Sequence, residues 1–161
     1  KLGKPYVKII GSGAATETLQ LAQRADLTTI KAATLASARA LKMAGRTIKD
    51  VQFAEVHDCF TIAELIVLES IGVYEPGCAG PGTLAGETGL EGKFPVNPSG
   101  GLKSKGHPVG ATGIAQMVEI YKQLTRQAEN GRQIKKDLKI GMAQNMGGSG
   151  GSSVVHIVEV A

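Results

Sequence analysis

Gly106-His107-Pro108-Val109-Gly110-Ala111-Thr112-Gly113 is the stretch whose reading decides this chain. Proline after His107 biases that residue's backbone away from the helical region, and the flanking glycines admit close approach by other backbone atoms. Beyond it, Ile114, Met117, Val118, Tyr121 and Leu124 recur on one face of a predicted helix. The histidine therefore sits at a helix mouth, beside free N–H groups and a partial positive charge. Such a histidine favours its neutral form and can take a proton from a thiol or donate a hydrogen bond to an oxyanion. A turn-capping histidine has the same spacing. Anion binding at the helix start is a third reading, but no Gly-Lys-Ser/Thr follows, which excludes a Walker-type loop.

Fifty residues upstream lies His57-Asp58-Cys59-Phe60. Val51 to Val56 before it reads as a buried strand. After it, Ile62, Leu65, Ile66 and Ile71 read as a helix stopping near Gly72. Asp58 or Thr61 would cap that helix, and Thr61 with Glu64 has capping-box spacing. A helix N-terminus and a neighbouring imidazole are expected to pull the Cys59 pKa down, which suits a nucleophile or an acid/base. A small buried cysteine beside a satisfied histidine is the plain alternative. His57, Cys59 and His107 lack the paired spacing of a zinc site, so no metal is expected.

Working outward, Tyr6 to Ile10 reads as a strand ended by Gly11-Ser12-Gly13. That glycine pair lacks the rest of a dinucleotide fingerprint, with Thr16 where the third glycine belongs. Leu27, Ile30, Thr34, Leu35, Ala38 and Leu41 give a helix closed by Gly45. Residues 73–105 are rich in glycine and carry four prolines, with a short strand expected at Phe94 to Asn97. Leu138 to Asn145 and Ser152 to Val160 are the last two strands, joined through Met146-Gly147-Gly148-Ser149-Gly150-Gly151. The order β-α-β-α-β-α-β-β predicts an α/β domain over residues 1–161, with a mixed five-stranded sheet and helices on its faces. The chemically interesting segments all fall at strand C-termini or helix N-termini, where ligands gather in such sheets.

Composition narrows the function classes. Of 161 residues, 42% are hydrophobic and 20% charged, which argues for a folded globular domain. No apolar run reaches the ~18–20 residues of a membrane span. The net charge of +4 is scattered and aromatics are only 4%, so the stacking platforms of nucleic-acid binders are missing. Neither nucleic acid nor membrane is an expected partner. Cys59 and Cys78 have no disulfide-framework spacing, which predicts a reduced, cytoplasmic protein. The opening Lys1-Leu2-Gly3-Lys4-Pro5, without methionine, reads as the start of a fragment. The final glycine-rich loop is far longer than a two-residue hairpin needs, and its bare N–H groups suit an oxyanion hole or a loose turn.

Asn97-Pro98-Ser99-Gly100-Gly101 followed by Gly106 to Gly113 resembles the C-terminal half of a thiolase, and the likeness runs from about Tyr6 to the end of the chain. Most thiolases carry Asn-Glu-Ala-Phe where this chain has His57-Asp58-Cys59-Phe60, and a late cysteine where this chain has Gly147. That combination is similar to the sterol-carrier-protein branch. The resemblance implies that His107 activates the nucleophilic cysteine and helps hold the enolate, and that His57 holds a water completing that hole. It implies that Cys59 is the acid/base, that Phe60 lies near the pantetheine arm, and that backbone around Gly147, Ser149 and Gly150 forms a second oxyanion hole. Ser149 departs from the family's glycine triplet.

The same resemblance places the nucleophile in an N-terminal half outside this chain, so the chain alone is expected to be inactive. It implies a coenzyme A thioester as substrate, no covalently bound cofactor, and a homo-oligomer in the full enzyme. The implied reaction is Claisen condensation of acyl-CoA or thiolysis of 3-ketoacyl-CoA. Two alternatives stand beside it: a thiolase-fold aldolase working with an OB-fold partner, and a non-catalytic assembly subunit.

Overall fold

A computed structural model describes residues 5–129 and 131–161. Its strands are β1 (Val7–Thr16), β2 (Phe53–Glu55), β3 (Ile140–Gly147) and β4 (Ser152–Val160). The helices are α1 (Lys31–Ala44), α2 (Thr61–Ser70), α3 (Ala79–Leu84), α4 (Gly101–Lys105) and α5 (Thr112–Leu124). The sheet order is β1-β4-β3-β2, with β4 antiparallel to both neighbours and β2 parallel to β3. Alternation along each strand feeds two apolar cores. Ala54, Met142 and Ile157 join α1 and α2 in one, while Phe53, Ala143 and Val158 join Ile120 and Leu124 of α5 in the other.

The architecture is the expected mixed α/β sheet, with four strands in place of five. The segment expected as a strand at Phe94 to Asn97 makes a single parallel bridge, Ala54 to Val96. Ala54 N–H donates to Pro95 O and Asn97 N–H to Ala54 O, and the backbone then turns left-handed at Asn97 with φ 48°. The prolines on either side of this pair remove ladder donors, so pairing stops there. β2 is also shorter than Val51 to Val56. At its end, side-chain oxygens replace the ladder: Val56 N–H donates to Asn97 Oδ1 (2.8 Å) and His57 N–H to Gln144 Oε1 (3.1 Å). This substitution turns the chain out of the sheet toward α2.

Gly11-Ser12-Gly13 does not end β1, which runs on to Thr16. A Cβ on Gly11 would overlap the carbonyl oxygen of Ala40, and one on Gly13 that of Ala36. The glycines let helix backbone rest on strand backbone. Accordingly α1 buries Ala32, Ala33, Ala36, Ser37 and Ala40, while Leu35 faces outward and Leu27 precedes the helix, exposed. Of the apolar residues that marked this helix, Ile30 and Leu41 reach the core, while contact this close to β1 admits only small side chains.

The buried face of α5 overlaps the predicted stripe only in part, at Leu124 and partly at Met117. Ile114 and Val118 are exposed, whereas Thr112, Gln116, Glu119, Ile120, Gln123 and Leu124 are buried. Each buried amide has partners that make burial tolerable. Gln116 Nε2 donates to Gln144 O (2.9 Å), and Gln123 binds Glu119, Arg132 O and Ile134 N.

Candidate active site

Three loops converge beyond the ends of β2 and β3. The first leaves β2 as His57-Asp58-Cys59-Phe60 and enters α2, whose N-cap position is Phe60 without any side-chain cap. Neither Asp58 nor Thr61 caps α2, and Thr61 with Glu64 forms no capping box. Asp58 instead reaches the first turn of α4: its Oδ1 accepts from Leu102 N–H (2.8 Å). A Cβ on Gly101, where φ is 62°, would overlap that carboxylate. Glu64 accepts from Asn97 Nδ2 (2.7 Å). Glu55, fully buried, takes Ser99 N–H (3.0 Å), Ser99 O–H (2.7 Å) and Lys105 Nζ (3.3 Å). Three carboxylates thus clamp Asn97-Pro98-Ser99-Gly100-Gly101, the segment that leads to His107. Burial pushes the Glu55 carboxyl above its usual range, opposed by Lys105 and Ser99, and burial does the same at Glu64 against Asn97.

The second loop carries His107. Its ring stands edge-on to that of His57, centroids 4.9 Å apart and planes at 85°. His107 is exposed, with Nδ1 2.7 Å from Thr112 Oγ1. His57 is buried, and its Nδ1 has no hydrogen-bond partner among the described residues. Burial and the neighbouring His107 hold His57 below its ordinary pKa, with Asn145 and Asp58 pulling the other way. Burial and the His107 neighbour thus favour the neutral imidazole of His57.

The third loop follows β3. Asn145, Met146, Gly147 and Gly148, with Ser152 to Val154 of β4, complete a cavity of about 380 Å3 that His57, Cys59, His107 and Val109 also line. Gly147 is at that cavity. Ser149 and Gly150 belong to the same turn without lining it, and a Cβ on Gly150 would meet Ile30 Cγ2 at 3.0 Å. Phe60 lies beside Cys59, is 71% exposed and is not part of the lining.

Cys59 departs from the electrostatic expectation. Burial pushes its thiol up; backbone N–H groups of Phe60 and Cys59 oppose this, and Asp58 adds to it. The helix N-terminus does not win because the thiol is withdrawn from water. Cys78 is free and exposed before α3, away from the cavity lining.

Sequence reasoning missed Asn145, Gln144 and Gln116. Gln144 accepts from His57 N–H and donates to Ser153 Oγ (3.1 Å), and Asn145 Nδ2 donates to Gln116 Oε1 (3.1 Å). These amides fix the cavity floor. Polar residues inside strand β3 and on the buried side of α5 were their only signal. Among the described residues no cluster of His, Cys, Asp or Glu is placed to hold a metal ion, and no helix is long and apolar enough to cross a membrane.

The family model described as thiolase C-terminal domain-like matches residues 13–160. The chain belongs to the thiolase C-terminal domain family. Acetyl-CoA acetyltransferase of Methanothermobacter thermautotrophicus is 45% identical over 152 residues, which is 94% of this chain and 39% of that protein. Its namesake in Methanocaldococcus jannaschii is 44% identical over 156 residues, again 39% of that protein. Sterol carrier protein 2 of Oryctolagus cuniculus is 38% identical over 125 residues, 78% of this chain and 22% of that protein. This thiolase C-terminal domain thus spans well under half the length of these relatives. Among solved structures, an Ltp2-ChsH2(DUF35) aldolase superposes with TM-score 0.83 at 22% identity, covering 98% of this chain and 40% of that one. Bacillus anthracis acetyl-CoA acetyltransferase gives 0.67 at 20% identity, covering 98% and 31%. Both likenesses speak to the thiolase fold.

Proposed function

We propose that this thiolase C-terminal domain supplies the proton-handling half of an acyl-CoA C-acyltransferase. One observation carries the reading: His57, Cys59 and His107 open onto a single cavity beside the Gly147-Gly148 turn. In the proposed cycle, His107 takes the thiol proton of a nucleophilic cysteine contributed by an N-terminal half. The thiolate attacks an acyl-CoA and leaves an acyl-enzyme, and coenzyme A departs as its thiol carrying the proton of Cys59. Cys59, as its thiolate, then removes an α-proton from a second acyl-CoA, and the carbanion attacks the acyl-enzyme carbonyl. The new carbon–carbon bond forms as the enzyme thiolate leaves. Thiolysis of a 3-ketoacyl-CoA is the reverse.

His57 and His107 are proposed to hydrogen-bond the enolate oxygen, their rings standing 4.9 Å apart at the cavity. Backbone N–H groups from Gly147 through Ser149 and Gly150 are proposed for the second oxyanion hole. Phe60 is proposed to flank the pantetheine arm, its exposure leaving a ring free for that contact. Without a second thiol lining the cavity, the domain by itself is inactive in this reading.

The test is thiolysis of acetoacetyl-CoA and of a longer 3-ketoacyl-CoA by the full protein and by its Cys59→Ala variant. Turnover that collapses in the variant supports the reading. Equal turnover removes Cys59 from its role. Absence of turnover in both redirects attention to retro-aldol cleavage with an OB-fold partner or to an assembly role.

A further inference from the structure

We propose that Thr112 is the positioning residue of His107: its hydroxyl hydrogen-bonds Nδ1 in every protonation state of the ring and so leaves Nε2 as the working nitrogen. The inference rests on the acyltransferase reading for its kinetic consequence, though not for its geometry. His107 is exposed and stands in a loop between glycines, so packing does little to hold its ring. Two contacts remain, the edge of His57 and the 2.7 Å approach of Nδ1 to Thr112 Oγ1.

Thr112 itself is only 1% exposed, which excludes competing solvent, and it opens α5. Its N–H donates to Pro108 O (3.0 Å), and its hydroxyl lies 3.2 Å from the same oxygen. The hydroxyl has one proton and can place it in either of two directions. When Nδ1 carries a proton, Nδ1–H donates to Oγ1 and the threonine proton rests on Pro108 O. When Nδ1 is bare, the hydroxyl rotates about its C–O bond and donates to it. In the first state Nε2 offers a lone pair to a thiol proton; accepting it gives an imidazolium with Nδ1–H still bonded to Oγ1. In the second state Nε2–H is a donor toward an oxyanion. The ring does not move between them. A carboxylate in the same place would accept from Nδ1–H and, ionised, could not donate to a bare Nδ1.

Side-chain sterics separate this role from simple packing. Thr112→Val keeps the shape and removes the hydroxyl; Thr112→Ser keeps the hydroxyl and removes the methyl. In the full protein, thiolysis by Thr112→Val is expected to lose roughly 10- to 100-fold in kcat with KM changed by less than about 2-fold, while Thr112→Ser stays within about 3-fold of the parent. The same preparations labelled with 15N-histidine give a readout that needs no turnover. The Nδ1 signal of His107, assigned by His107→Gln, is expected to match the parent in Thr112→Ser and to shift in Thr112→Val.

Parent-like kcat and parent-like His107 signals in Thr112→Val would overturn the proposal. Equal loss in both variants would also overturn it, because the methyl and not the hydroxyl would then matter. If Thr112→Val does not fold, Thr112→Ala takes its place with the same outcomes. If the parent shows no thiolysis, the acyltransferase reading falls and the nitrogen signals still decide the partner of Nδ1.

Discussion

Asn97→Ala is expected to loosen the whole loop that delivers His107. Asn97 does three things at once. Its Oδ1 accepts from Val56 N–H at 2.8 Å, its Nδ2 donates to Glu64 at 2.7 Å, and its backbone holds φ 48°. Val56 is fully buried, so removing the acceptor strands an N–H away from water at about 1–3 kcal/mol. The bond to the Glu64 carboxylate adds roughly 1.5 kcal/mol, toward the low end for a charged acceptor because Glu64 is only half-buried. Alanine in the left-handed region adds about 1 kcal/mol. Together the chain loses about 4 kcal/mol. With a urea m-value of about 2 kcal/mol/M for a domain of this size, the midpoint falls by about 2 M at unchanged m. Asn97→Gly recovers only the backbone share, about 1 kcal/mol. Urea titration of the two variants beside the parent is the assay. A midpoint shift below about 0.5 M for Asn97→Ala, or full recovery in Asn97→Gly, would falsify the clamp as described.

In the full protein, Cys59→Ala and His107→Ala are each expected to lower turnover by roughly 10²–10⁴-fold in a thiolysis assay, the usual weight of one proton-transfer group. Gly13→Ala should destabilise the chain by about 2–3 kcal/mol in the same titration, because its Cβ meets backbone of α1 that cannot step aside. His57 has a folded pKa below its ordinary 6.5, so the unfolded chain binds the extra proton first as pH falls. Its contribution to stability is complete above 6.5 and is lost progressively below that value, and His57→Gln should flatten that part of the pH–stability curve. Glu55 runs the other way. Its raised pKa means the folded state holds a proton the unfolded chain gives up, so stability is lost as pH rises from about 4.5 through the folded value, and Glu55→Gln should remove that slope.

The His107 loop was legible because Gly106, Pro108 and Gly110 set its backbone locally, and the His57 loop because a polar cluster interrupts a strand pattern just before a helical one. The closing hairpin was legible from the alternation that continues through Val160. What stayed hidden depends on contacts across the chain. No local pattern says that Asp58 serves Leu102, 44 positions along the chain, and not its own helix. Spacing also names the apolar face of a helix, but α1 needs small residues against Gly11 and Gly13, and α5 needs amides against the carbonyls of β3. In both cases the partner surface, not the helix, selects the buried side. The fifth strand failed for a smaller reason: its prolines leave too few donors to extend a ladder past one bridge.

The environment of Cys59 argues for its proposed role over that of a nucleophile. A nucleophilic thiol gains from a lowered pKa, because the thiolate must be present before the substrate arrives. Burial does the reverse here, pushing the Cys59 thiol up and so favouring its protonated form. A protonated thiol is the form needed to return a proton to a carbanion, and once deprotonated such a thiol is the stronger base for the opposite step. Iodoacetamide separates the cases in this chain. Exposed Cys78 should react first, and Cys59 should lag at pH 7 and catch up only as pH rises. A Cys59 that alkylates faster than Cys78 at pH 7 would mean a thiolate at rest, and the assignment of proton transfer to Cys59 would lose its electrostatic basis.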